Sequence, residues 1–226
     1  MKSINERIQE YDMKKILKPM FVVFWMMLLS GYLSAQTQEW KTAVRDHGKI
    51  TVNYCVSERL DESDLKVLVI MYSAVTIDTI SMKNCIAIMK DASKYQELMD
   101  LEISKRITTI SENEWVNYYY SSPGWPLSDF DWVAKITFSE DTDTKTAIFT
   151  STAEPSLYKK ANVNRIAFDN EKYAFKDLGN GEIEVTVTIE ESPAIKVPRW
   201  LLNIAIPGGA ADFIRNIVKL AKEDGS

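Results

Sequence analysis

The residues able to do chemistry are few in this sequence and are poorly spaced for it. The sole histidine, His47, stands beside Gly48 in a predicted loop. A solvated imidazole fits there, while a general base would lack a partner. With one histidine and two well-separated cysteines, Cys55 and Cys85, no zinc spacing exists. The chain contains neither a Gly-x-Ser-x-Gly elbow nor a phosphate-binding glycine loop, and Gly179-Asn180-Gly181 reads as a hairpin turn. Among the carboxylates, Glu140-Asp141-x-Asp143 and Glu190-Glu191 read as solvated turns, and a calcium loop would need more ligands at alternate positions. Asp129 and Asp131 could suggest an acid/base pair, but Asp129 belongs to the loop before the strand that Asp131 opens. No catalytic set, no metal site and no cofactor are expected.

Aromatic surface takes the place of polar chemistry. Trp115, Tyr119, Trp125, Trp132, Tyr173 and Phe175 fall on predicted strands or the loop between them. Ile204 and Phe213 fall on the apolar side of a final helix, with Trp200. Each of these residues could serve the core alone. Together, on a sheet facing a helix, they would wall an apolar cleft suited to an apolar ligand. Arg165, flanked by Val163 and Ile166, could turn inward to orient a polar head group, or outward to solvent. Trp125 lies between Gly124 and Pro126, where a turn usually carries small polar residues. It either folds back on its own core or forms a rim at a cavity mouth or membrane interface, where tryptophan is favoured.

The elements that must position these residues follow from periodicity. Residues 37–46 hold Trp40, Ala43 and Val44 at helical spacing and stop before Gly48, which predicts a short helix. Alternation over 50–56 and an apolar run over 65–74 predict a hairpin. Helices are predicted over 77–90, with Thr76 as cap, and over 91–99. Strands are predicted over 101–110, 114–121, 131–138, 145–153, 162–169, 172–178 and 182–190. The last is the cleanest, with Ile183, Val185, Val187 and Ile189 on one face. Residues 199–222 predict a helix that Pro207-Gly208-Gly209 breaks or kinks. The fold class is therefore α+β: an antiparallel sheet with a long C-terminal helix laid over it.

A length of 226 residues at 46% hydrophobic composition suits one core and one domain. Residues 1–35 read as an N-terminal extension and signal peptide: Lys14, Lys15 and Lys18, an apolar run over 20–29, and Leu33-Ser34-Ala35 before Gln36. That run is shorter than the roughly 20 residues of a spanning helix. Cleavage after Ala35 would place residues 36–226 in the periplasm or outside the cell. The leader holds five basic and three acidic residues, leaving 22 basic and 29 acidic, a formal charge of −7. Such a balance argues against nucleic acid and against strong attraction to anionic lipid. In an oxidising compartment Cys55 and Cys85 could pair, or remain two buried thiols.

The tyrosines Tyr118-Tyr119-Tyr120, then Pro123-x-Trp125-Pro126-Leu127, then Asp131 opening a strand, resemble the START domain, the lipid-transfer module related to the steroidogenic acute regulatory protein. The resemblance runs from about Trp40 to about Lys222. It implies a helix-grip fold, a curved antiparallel sheet gripping the C-terminal helix, in the same element order. Phe130-Asp131 stands where the family usually has Arg-Asp, so Asp131 is carried over only as a structural residue. The function implied is non-catalytic binding or transfer of a lipid or other hydrophobic small molecule by a monomer in transient membrane contact. Two alternatives remain: a cyclase or hydratase-like enzyme of the same fold, and an interaction module docking through the Trp125 loop.

Overall fold

In a computed structural model of the protein, residues 39–61, 64–125, 127–159 and 162–223 are described. The expected leader, residues 1–35, lies outside them. Ten strands form one sheet in the order β1-β2-β3-β10-β9-β7-β6-β5-β4, with β8 paired to β6 off this path. The strands are β1 Lys41–Arg45, β2 Ile50–Leu60, β3 Lys66–Thr79, β4 Ile103–Ser111, β5 Glu114–Ser121, β6 Phe130–Asp141, β7 Thr146–Ala153, β8 Asn164–Arg165, β9 Asp169–Gly179 and β10 Glu182–Glu191. Among the described residues only the β6·β8 pairing is parallel. The helices are α1 Met82–Lys90, α2 Tyr95–Met99 and α3 Arg199–Glu223.

Alternation places one apolar face of the long strands inward, the edge strand β4 excepted. Ile183, Val185, Val187 and Ile189 of β10 are all buried, as are Tyr173 and Phe175 on β9 and Trp115 and Tyr119 on β5. The β9–β10 turn needs three successive left-handed residues, and Gly179, Asn180 and Gly181 supply φ of 87°, 56° and 79°. Across the sheet lies the second half of α3, burying Ala210, Phe213, Ile214, Ile217 and Leu220 against the main core. Leu202 and Ile206, in its first half, pack instead with Val56 and Ile70. Polar ties fix the helix at its far end: the Asn84 side chain donates to the Ala221 carbonyl at 2.8 Å, and Lys219 meets Glu97 at 2.7 Å.

Four sequence expectations need correction. Residues 41–45 form an edge strand, paired Lys41↔Tyr54 through Arg45↔Ile50, and not a helix. With Trp40 and Val44 both exposed, no apolar helix face is buried there, and the ladder to β2 satisfies the backbone instead. β3 continues to Thr79, so the helix begins at Met82, and the Thr76 hydroxyl donates to the Lys49 carbonyl at 2.9 Å where a cap was expected. The strand expected over 162–169 is only Asn164–Arg165 among the described residues. Pro207 does not break α3, which runs through it as one helix of 25 residues, with Pro207 itself buried. Cys55 and Cys85 are buried and free. Burial pushes the Cys85 thiol up to about 12.

Candidate ligand cavity

The site grows out of the β9–β10 ladder. Its register sets Val187 opposite Tyr173, Ile189 opposite Glu171 and Glu191 opposite Asp169. Because the inward period continues unbroken, the face that carries Tyr173 and Ile189 delivers carboxylates two residues further on. There the sheet parts from α3 and leaves a cavity of about 400 Å³. Its apolar walls include Phe130, Trp132, Ile166, Ile189, Leu98 and Phe213. Asp169, Glu171 and Glu191 line it with Tyr72 of β3, and the exposed Asp100 and Asp212 stand at its rim. Among the described residues the lining contains no lysine, arginine or histidine. A larger hollow of about 540 Å³ lies between residues 66–68 and 192–198, but it is walled largely by a connecting segment, includes Lys66 and Lys196 in its lining and has no carboxylate there.

Burial dominates the electrostatics of this end. It raises the Asp169 carboxyl well above the usual range, helped by the charges of Glu171 and Glu191. It also raises Glu171, which the Tyr173 hydroxyl, donating to Oε2 at 2.7 Å, pulls back down. Glu191 is pushed up to about 7, by burial first and by Glu171 second. Asp169 is 2% exposed, and its Oδ1 has no hydrogen-bond partner. No group of three or more His, Cys, Asp or Glu among the described residues is placed to hold a metal ion.

The residues expected at a ligand are distributed unevenly. Trp132 and Phe213 line the cavity. Tyr119 stacks on Trp132 from behind, with centroids 4.7 Å apart, and Tyr173 meets Phe213 at 5.5 Å. Trp115 and Phe175 lie deeper, each packed against Phe149. Ile204 is 67% exposed on the first half of α3. Arg165 turns neither into the cavity nor out to solvent: its Nε and Nη2 bond Asp131 at 2.8 and 2.6 Å, and its Nη1 donates to the carbonyls of Pro155 and Tyr158. Asp131, fully buried, thus finds its counter-charge on β8 in place of the arginine that residue 130 lacks.

Trp125 is 95% exposed, so its loop does not fold back on the core. Both ends of that loop, Ser121 and Phe130, line the cavity. Asp129 holds the base closed, accepting from Tyr120 at 2.6 Å and Ser122 at 2.7 Å, and these bonds hold its carboxyl below the usual range.

Sequence reasoning passed over Asp169, Glu171 and Glu191. The signal was available: Tyr173 extended backward by two and by four positions, and Ile189 extended forward by two, reach all three.

No family model matches the sequence. Phosphatidylcholine transfer protein of Bos taurus is 23% identical over 130 residues, which are 55% of this chain and 61% of that protein. The match therefore spans about three fifths of the relative's length. Among solved structures, the STAR-related lipid transfer protein fragment of Xanthomonas axonopodis superposes with a TM-score of 0.65 at 18% identity, covering 80% of this chain and 98% of that one. Human StAR-related lipid transfer protein 5 gives 0.65 at 14%, covering 94% and 99%. Identities this low speak for the fold, and the fold they share, an antiparallel sheet gripping a C-terminal helix, is the START-like helix-grip fold.

Proposed function

We propose that this chain binds a lipid or other hydrophobic small molecule between sheet and α3 and transfers it without altering it. The observation that carries this reading is the cavity of about 400 Å³, walled by Trp132, Phe130, Ile189 and Phe213 and set where the helix leaves the sheet. Its size lies in the range of small-molecule sites and suits a small amphiphile, or one chain of a larger one. The similarity to a phosphatidylcholine transfer protein supports the same reading. Uptake runs past the Trp125 loop, whose exposed indole touches the membrane transiently, and through displacement of the first half of α3. Pro207 removes one helical hydrogen bond there, and Gly209 lines the cavity, so this is where the helix yields most easily. The protein acts as a monomer in the periplasm or outside the cell, after cleavage behind Ala35.

Native mass spectrometry of protein purified from its producing cell tests the reading directly. A stoichiometric apolar ligand, together with a mature N-terminus at Gln36, is expected. A ligand-free protein that neither gains melting temperature across a lipid panel nor moves a fluorescent phosphatidylcholine between vesicles would overturn it.

One observation favours a second reading, an acid/base enzyme of the cyclase or hydratase kind: a carboxyl with a pKa of about 7, Glu191, stands in the cavity. Conversion of the co-purified ligand to a product of altered mass, abolished in Glu191→Gln, would establish it.

A further inference from the structure

The acidic end of the cavity says more about the ligand than its apolar walls do, provided the cavity is a ligand site as proposed above. Three carboxyl side chains project from two paired strands onto one inner wall, Asp169 opposite Glu191 and Glu171 two residues along β9. An acidic cluster alone would be unremarkable on a surface. Here Asp169 is 98% withdrawn from solvent, with Glu171 and Glu191 half-buried beside it; it lines the cavity and carries an Oδ1 that nothing in the described structure bonds. Buried polar atoms in folded proteins are almost always partnered, so an orphan oxygen on a residue that lines a cavity marks a place where a donor belongs.

No element around the cluster supplies a counter-charge among the described residues. β3 contributes the Tyr72 hydroxyl, and β9 itself the Tyr173 hydroxyl, which already donates to Glu171. Tyr95 comes from α2, Asp100 from the turn that follows it, and Asp212 and Asn216 from α3. Arg215 is held by Asp212 and Asp46, and Asn216 donates to the Glu97 and Leu98 carbonyls. The Arg59 guanidinium stacks over the Phe168 ring at 3.3 Å, outside the lining. Facing groups are thus acidic or neutral, and the arrangement is not one that holds a metal ion.

We propose that Asp169, Glu171 and Glu191 form a head-group subsite selecting an amphiphile with a positively charged nitrogen, whose apolar part lies along Trp132, Ile189 and Phe213. Inside an apolar cavity, adjacent carboxyl groups cannot all ionise without a cation among them. An ammonium group supplies that cation and donors for the orphan oxygen, and in doing so it draws protons off the cluster. Binding is therefore linked to proton release, and affinity for the amine rises with pH through the titration of the cluster. A carboxylate head group would behave oppositely, and a neutral hydroxyl would show little linkage to pH.

The test is isothermal titration of the protein with octylamine, 1-octanol and octanoate below their micelle concentrations, in EDTA, between pH 5.5 and 8. Octylamine, protonated throughout, is expected to bind about tenfold or more tightly than octanol at pH 8, to gain affinity with pH, and to release protons when buffers of different ionisation enthalpy are compared. Asp169→Asn and Glu191→Gln should each remove that advantage, bringing octylamine to the affinity that the same variant shows for octanol. Equal affinity for amine and alcohol, a preference for octanoate, or amine binding without proton release would overturn the head-group assignment and leave the cavity reading standing. Should none of the three octyl compounds bind, both fall. The proton-release measurement uses the unmodified protein, so a variant that fails to fold does not blunt the test.

Discussion

Two aspartates are withdrawn from water to nearly the same degree in this molecule and are treated in opposite ways. Asp131 is 0% exposed and meets Arg165 through two hydrogen bonds, while carbonyl groups take the other guanidinium donors. Asp169 is 2% exposed and stands beside Glu171 and Glu191 on the wall of a cavity lined by no basic residue among those described. The first arrangement is closed on itself and fastens β8 to β6, so its product is architecture. The second is open and its charge incomplete, so it makes sense only with something else in the cavity. Burial alone does not tell the two apart; the completeness of the bonding does.

The comparison breaks most visibly at the closed pair. Arg165→Met leaves the Asp131 carboxylate buried without a partner and should cost about 3–5 kcal/mol in urea unfolding. The further change Asp131→Asn should recover part of this loss, and a loss below about 1 kcal/mol would place Asp131 with the open cluster instead. At the open cluster the sign reverses. Glu191 keeps its proton to a higher pH when folded than when unfolded, so its contribution is complete below its ordinary value of 4.5 and is lost as pH rises toward about 7. Glu191→Gln should remove this part of the pH dependence and leave the variant more stable than the parent above pH 7, by roughly 1–3 kcal/mol, in denaturant titrations at pH 5 and 8.

Tyr173→Phe sharpens the contrast within the cluster, because Tyr173 is the hydrogen-bond donor to Glu171. It should cost about 0.5–1.5 kcal/mol at neutral pH and raise the Glu171 carboxyl further, readable by NMR titration of its side-chain carbon. The smallest effect is expected where neither region reaches. Trp125→Ala, at 95% exposure, should change stability by no more than about 0.5 kcal/mol while lowering association with lipid vesicles.

Much of the architecture was legible. The alternation of Ile183, Val185, Val187 and Ile189, the Gly179-Asn180-Gly181 turn and the long final helix all appear where their patterns put them. Edge strand β1 was illegible because both its faces are largely exposed, and five residues without a buried stripe carry no period to read. Glu171 and Glu191 were hidden by their own chemistry: acids at strand ends read as turns, although their parity belongs to the inner face. The Arg165–Asp131 pair could not have been found locally. It depends on two residues of β8 lying parallel beside the start of β6, a tertiary contact that no spacing along the chain announces.

The order of strands also governs how the molecule comes into being. β3 presents 14 residues along an edge whose partner is β10, and the ladder joins Thr79 to Glu182 and Ile70 to Glu191, roughly a hundred positions apart. Closing so long a loop gives no return until the ladder starts to form, so folding belongs to the slow, non-local class, on the millisecond-to-second scale. Because β10 and α3 follow the other cavity-forming elements in sequence, a ribosome must release all of those elements before any guest has somewhere to lodge.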